Sequence, residues 1–156
     1  MKPRLLVLIP LRDDAQRKIA ASFDVHDAPT ADARTRTIAE HGDAIHAVLT
    51  NGATGLTADE IDRMPHLSFV SALGAGYERI DVAHAKSRGV VVATGAGTND
   101  DCVADHAFAL LLATVRGIVK QDRSTREGVW RDALPMQQNV SGKKLGIVGL
   151  GKIGEK

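Results

Sequence analysis

Near the end of the chain, Gly149-Leu150-Gly151-Lys152-Ile153-Gly154 has the spacing G-x-G-x-x-G and follows directly on the apolar run Leu145 to Val148. A short buried strand entering such a turn opens a dinucleotide-binding βαβ unit. The first glycine permits the tight turn, and the second lets backbone approach a pyrophosphate. The third allows close helix–strand packing, and the coming helix offers its N–H groups to the phosphates. Alone, the pattern is weak. In this chain, with no helix and no second strand behind it, it reads first as a glycine-rich turn without a ligand. Only Glu155 and Lys156 follow, whereas a βαβ unit takes about 30 residues. The expectation is the front part of a nicotinamide-dependent enzyme, interrupted inside its cofactor loop.

A second glycine-rich stretch, Leu73-Gly74-Ala75-Gly76-Tyr77, follows the apolar segment Leu67 to Ala72. Open α/β sheets bind ligands at the C-terminal ends of their strands, and two glycines there expose N–H groups that suit a carboxylate. The plainer reading is a tight β–α turn. Asn51, at the end of another apolar run, reads first as a turn former and second as a cleft residue. The six histidines form no ligand cluster with a second His, Cys or carboxylate at useful spacing, so no metal site is expected. His106, next to Asp105, reads as a buried, hydrogen-bonded interface residue rather than a general base. Cys102 starts a helix, where a thiol pKa can fall, but no base lies near it in sequence and it reads as a packing residue.

These residues need elements to hold them. Leu5 to Ile9 is an unbroken apolar run, the mark of a strand covered on both faces, and Pro10 ends it. Asp13 or Asp14 is expected to cap a helix through about Ser22. A weak strand follows at Phe23–His26. A helix is predicted from about Ala31 to His41, and Ile45–Leu49 is a third strand. Thr57-x-x-Glu60 is a capping box, with its helix ending before Pro65. Leu67–Ala72 is the fourth strand, Asp81 caps the next helix, Gly89 closes it, and Val90–Ala93 is the fifth strand. Repeats of β then α at this size mean an open parallel α/β sheet with right-handed crossovers. A longer helix runs from about Asp100 to Arg116. Its middle, Ala107 to Ala113, is apolar all round, so it must be covered on several sides by a second domain or subunit. Gly117 is expected to bend it, and a polar helix continues to about Gly128.

Composition narrows the function classes. The 156 residues are 44% hydrophobic and 25% charged with a net charge of +1, which gives no reason to expect a nucleic-acid or membrane-surface partner. One Trp, one Tyr and three Phe leave base stacking unlikely as a design. A single cysteine excludes an intrachain disulfide and fits a reducing cytoplasm. No apolar run reaches the ~18 residues of a membrane span, and Leu5–Ile9 is too short for a secretory signal.

The order of elements can then be named. Ala72-Leu73-Gly74-Ala75-Gly76-Tyr77 with Asp81, Asp101-Cys102-Val103-Ala104-Asp105-His106-Ala107 opening a Leu-rich helix, and Gly146 to Gly154 after Ser141-Gly142-Lys143 come in that order. Together they resemble the D-isomer-specific 2-hydroxyacid dehydrogenases, particularly the hydroxypyruvate/glyoxylate reductase type. The likeness covers the whole chain but about the first half of a family member.

The resemblance implies a flavodoxin-like parallel-sheet substrate domain over residues 1–97. Residues 98–156 would be the long interdomain helix and the first strand of a truncated Rossmann dinucleotide-binding domain. It implies reduction of 2-keto acids to D-2-hydroxy acids with NAD or NADP as cofactor, and a cytoplasmic homodimer formed through the 100–120 helix. It assigns Ala75 and Gly76, with Asn51 beside them, to the substrate, and Gly149, Leu150, Gly151, Lys152, Ile153 and Gly154 to the cofactor. The family's catalytic Arg, Glu and His, its residues choosing NAD or NADP, and a terminal helix that returns to the substrate domain all belong after Lys156. The chain alone is then expected to be inactive. The alternative is a non-catalytic NAD(H)-sensing or interaction protein on the same scaffold. Two departures stand out. Asp105 replaces a usual Glu, and Gly95-Ala96-Gly97 replaces a usual Thr-Pro-Gly, which implies a looser interdomain hinge.

Overall fold

The computed structural model describes residues 2–156. The chain divides into two compact units, Met1–Thr98 and Asn99–Lys156. In the first, five strands form one parallel sheet. They are β1 (Arg4–Val7), β2 (Asp24–Asp27), β3 (Ala47–Thr50), β4 (Phe69–Ala72) and β5 (Val91–Thr94). The strand order is β2-β1-β3-β4-β5, which is the flavodoxin-like order. Registers such as Leu6 beside Val48 and Val48 beside Val70 stack like with like across the sheet.

Alternation along the strands sorts the core into two layers. Leu6, Leu8, Val48, Val70 and Ala72 point to one face. There they meet Ile38 of α2 (Ala31–His41), Ile61 of α3 (Ala58–Asp62) and Ala85 of α4 (Val82–Ser87). Leu5, Val7, Ile9 and Ala47 point to the other, where Ile19 of α1 (Asp13–Ser22) and Phe23 cover them. The continuous run from Leu5 to Ile9 is buried throughout, as a strand clothed on both sides requires. Cover on the α1 side stops at β3. Phe69 and Val91, register partners on that same face, remain exposed.

Helix ends follow their residues. Thr57 and Glu60 form the full capping box, and the Asp81 carboxylate accepts from the His84 N–H at 2.9 Å. The α1 cap differs from expectation. Its N-cap is Arg12, with no side-chain cap, and Asp13 and Asp14 lie inside the first turn, where their charge favours the helix dipole.

The second unit holds α5 (Asp100–Val115) and α6 (Ile118–Arg126). Gly117, in the left-handed region at φ 61°, separates them at a bend of 60°. No single helix is long and apolar enough to cross a membrane. Two expectations, a packed Cys102 and a final strand, are corrected here, whereas α5 keeps the open faces that its expected cover by a second domain or subunit requires. In α5 only Ala104 is buried, while Phe108, Leu110 and Leu112 stand exposed. An all-apolar helix can be covered only by what packs on it, and little within the chain does. His106, expected at an interface, is exposed on the same helix with no side-chain hydrogen-bond partner among the described residues, whereas Cys102 is exposed rather than packed. The segment Leu145–Leu150 forms no strand and is exposed, because no described strand lies beside it to complete its backbone hydrogen bonds.

Candidate functional site

In the first unit the C-terminal ends of β3, β4 and β5 bring three loops together. The Leu73 N–H donates to the Thr50 carbonyl at 2.8 Å, and the Gly95 N–H donates to the Gly74 carbonyl at 2.7 Å. The loop after β3, Asn51–Gly55, lies directly against the loop after β4. A Cβ placed on Gly52 would stand 2.6 Å from the Gly76 carbonyl carbon and 2.5 Å from Glu78 Oε2. Only glycine fits at that distance. The switch point of this strand order, between β1 and β3, is where open α/β sheets form their ligand crevice, so the Asn51 loop borders it.

The roles of the expected substrate residues differ in kind. Asn51 builds the loop: its Oδ1 accepts from the N–H groups of Ala53 at 3.1 Å and Thr54 at 2.7 Å. Ala75 and Gly76 contribute backbone. Among the described residues their N–H groups donate to no protein acceptor, and Ala75 is exposed. Two adjacent free N–H groups can hold one carboxylate. Glu78 opposes this, since its exposed carboxylate also lies beside Gly76.

Two further residues shape the site and were missed in the sequence. Arg34 of α2 reaches into the Asn51–Gly55 loop, donating to the carbonyls of Thr54 at 3.2 Å and Gly55 at 3.3 Å, and pairs with Glu60. The pair is largely buried, with side chains 15% and 19% exposed. Burial acts to raise the Glu60 pKa, but hydrogen bonds from Arg34 and from the Thr57 N–H and hydroxyl outweigh it, so the carboxyl lies below its ordinary range. Thr50, fully buried, donates its hydroxyl to the Gly55 carbonyl at 2.8 Å. The available signal was a basic residue four positions before Ile38, on the face of α2 that turns inward.

In the second unit the G-x-G-x-x-G segment folds as a turn. Gly149 has φ 92°, and a Cβ on Gly154 would collide with the Gly149 carbonyl oxygen. Both positions therefore demand glycine for the turn itself. Gly151 differs: a Cβ there would meet nothing within 4 Å. The protein does not need a glycine at Gly151, but a ligand brought close to the backbone would. The N–H groups from Leu150 to Gly154 donate to no acceptor among the described residues. Five free donors round an open glycine fit a pyrophosphate. No group of three His, Cys, Asp or Glu residues that could hold a metal occurs among the described residues.

The doubly wound sheet, the glycine loop after β4 and the phosphate-type turn define a class. A model of the D-isomer specific 2-hydroxyacid dehydrogenase catalytic domain matches residues 5–141, and the chain belongs to this family. The chain is 34% identical over 155 residues to a 2-ketogluconate reductase of Gluconobacter oxydans, covering 99% of this chain and 49% of that protein. Its fold superposes on a 2-hydroxyacid dehydrogenase structure from Ketogulonicigenium vulgare with a TM-score of 0.90 at 35% identity, over 99% of this chain and 49% of that one. It also matches an NADPH-dependent glyoxylate/hydroxypyruvate reductase of Sinorhizobium meliloti, solved with NADP and malonate, with a TM-score of 0.79 at 27% identity, over 99% of this chain and 48% of that one. The chain thus spans about half the length of the relatives it matches.

Proposed function

We propose that the protein is an NAD(P)-dependent oxidoreductase that reduces 2-keto acids of the glyoxylate and hydroxypyruvate kind to D-2-hydroxy acids. The observation that carries this reading is the pair of free N–H groups at Ala75 and Gly76, held at the carboxyl end of β4 within a member of this family. These groups take the substrate carboxylate, and the Asn51 loop closes against them. The turn from Gly149 to Gly154 takes the pyrophosphate of NAD or NADP, with Lys152 and Ile153 presenting backbone N–H groups. The cofactor, when bound, supplies the hydride. The relatives' names, 2-ketogluconate reductase and glyoxylate/hydroxypyruvate reductase among them, support the substrate class.

Two assembly readings accompany it. The exposed apolar side chains of α5 support a homodimer through the 100–120 helix. The exposed Phe69 and Val91 on the sheet offer a seat for the returning helix that the family resemblance implies. We place the protein in the cytoplasm, where the exposed, unpaired Cys102 would stay reduced. The 156 residues alone are proposed to be inactive, because the described residues bring no Arg, Glu and His together at the Ala75–Gly76 loop.

The test is spectrophotometric. A longer gene product containing this sequence should consume NADH or NADPH in the presence of glyoxylate, hydroxypyruvate or 2-ketogluconate, and the 156-residue chain should not. Cofactor binding with no turnover of any 2-keto acid would replace the enzyme by a sensor. Turnover by the 156-residue chain would overturn the assignment of catalysis to residues outside it.

A further inference from the structure

We infer that Arg34 is a positioning residue for the substrate loop, acting on Gly76 through the Asn51–Gly55 segment. This rests on the proposed reading of Ala75 and Gly76 as the carboxylate cradle. Arg34 makes no contact with that cradle itself. Its guanidinium holds the far end of the neighbouring loop by two carbonyls, those of Thr54 and Gly55, while Glu60 fixes the guanidinium. Thr50 secures the Gly55 carbonyl from the sheet side. Between these anchors the chain must pass Gly52, whose Cα has no space for even a methyl group against Gly76. A displacement of Thr54 and Gly55 therefore reaches Gly76 by contact, since the intervening residues are also tied by Asn51 Oδ1 to the N–H groups of Ala53 and Thr54.

Arg34 is an expensive way to build a helix surface. Its side chain is 15% exposed, and its Nε is buried with no hydrogen-bond partner among the described residues. A buried, incompletely satisfied guanidinium lowers stability relative to an apolar side chain of similar volume. Its five donors, fixed in one plane, grip two consecutive carbonyls and a carboxylate at once, which neither lysine nor an apolar residue does. That geometry suits holding a loop in one conformation.

The experiment uses the 156-residue chain, with nuclear magnetic resonance of the backbone amides. Arg34→Lys keeps the charge opposite Glu60 but loses the fork. Glu60→Gln keeps the capping box and removes the charge. In Arg34→Lys, the amide resonances of Gly52, Ala75 and Gly76 should shift, while those of Val48 and Val70 in the sheet stay unchanged. Titration with glyoxylate should show about tenfold weaker binding at Ala75 and Gly76, the scale of one hydrogen bond to a charged group. Glu60→Gln should show a smaller change of the same pattern. Unchanged Gly52 and Gly76 amides would overturn the positioning role whatever the ligand does. Moved amides with no glyoxylate response in the unaltered chain would overturn the cradle reading, and the substrate role of Arg34 with it. Moved amides with equal glyoxylate affinity in variant and unaltered chain would overturn the positioning role alone.

Discussion

Replacing Gly52 by alanine tests the closest approach in the site. The added Cβ would lie 2.6 Å from the Gly76 carbonyl carbon, 2.9 Å from its oxygen and 2.5 Å from Glu78 Oε2. Real Cβ atoms do not come within 3.0 Å of backbone atoms, so something must move. Glu78 is exposed and can rotate away. The Gly76 backbone cannot move so easily, because the Leu73 N–H and the Gly74 carbonyl anchor its loop to the ends of β3 and β5. Overpacking of this kind costs about 1–3 kcal/mol, and the anchored geometry points to the middle of the range, about 2 kcal/mol. For a unit of this size that is a fall in melting temperature of roughly 8–16 °C. Circular dichroism melts of Gly52→Ala and of Gly146→Ala make the comparison. A Cβ at Gly146 meets nothing within 4 Å, so that variant should melt within about 0.5 kcal/mol of the unaltered chain. Equal melting of the two variants, with glyoxylate still perturbing Ala75 and Gly76 in Gly52→Ala, would show that the two loops do not press on each other.

Stability should fall on mild acidification through His26. Its burial, and then the nearby His41, lower its pKa from the ordinary 6.5, with Arg4 adding and Asp24 opposing. The unfolded chain takes up this proton first, so the contribution is present above about pH 6.5 and is lost as pH falls through the folded value. His26→Phe should flatten that limb in urea titrations run from pH 7.5 to 5, and an unchanged limb would reject the assignment. Glu78→Gln removes a like charge from beside Gly76 and should tighten glyoxylate binding about fivefold, from a repulsion of about 1 kcal/mol between solvated charges at close range. Weaker binding in that variant would mean that Glu78 helps to hold the ligand. Phe108→Lys combined with Leu112→Glu, on the exposed face of α5, should convert a dimer to a monomer in sedimentation velocity. A dimer that survives both changes does not form through this helix.

What was legible in the sequence was whatever depends on neighbours along the chain. Thr57 and Glu60 lie three residues apart and found each other as a capping box. The bounds of α2, Ala31 to His41, agree with the expected ones, since Thr30 caps its start and the backbone passes at Gly42 into a short 3-10 turn, Gly42–Ala44. Strand ends slipped by at most two residues. Leu8 and Ile9 are as buried as Leu6 but lie beyond the paired part of β1, and hydropathy registers burial rather than pairing. Arg34 was not legible, because it acts through Thr54, Gly55 and Glu60, at least 20 positions away, nor was Glu78, which lies against Gly52 on another strand's loop. The exposure of α5 was not legible either. Its sequence states a need for cover without naming what supplies it.

The two glycine-rich segments show how differently the same residue type acts. At Gly52 the glycine answers a demand of the protein, the close passage of two loops, and a substitution there should register in stability whether or not a ligand exists. At Gly151, as at Gly146, nothing among the described residues stands within 4 Å of an added Cβ, so a substitution there should leave stability unchanged. The free N–H groups follow the same division. Those of a buried loop would cost free energy unless paired, whereas those at Ala75–Gly76 and at Leu150–Gly154, none on a buried residue, donate to no protein acceptor among the described residues. Packing therefore accounts for the glycine at Gly52, whereas the chain makes no such demand at Gly151. The turn from Gly149 to Gly154 is fixed locally, by the positive φ of Gly149 and the close approach at Gly154, in a unit whose apolar side chains stand exposed.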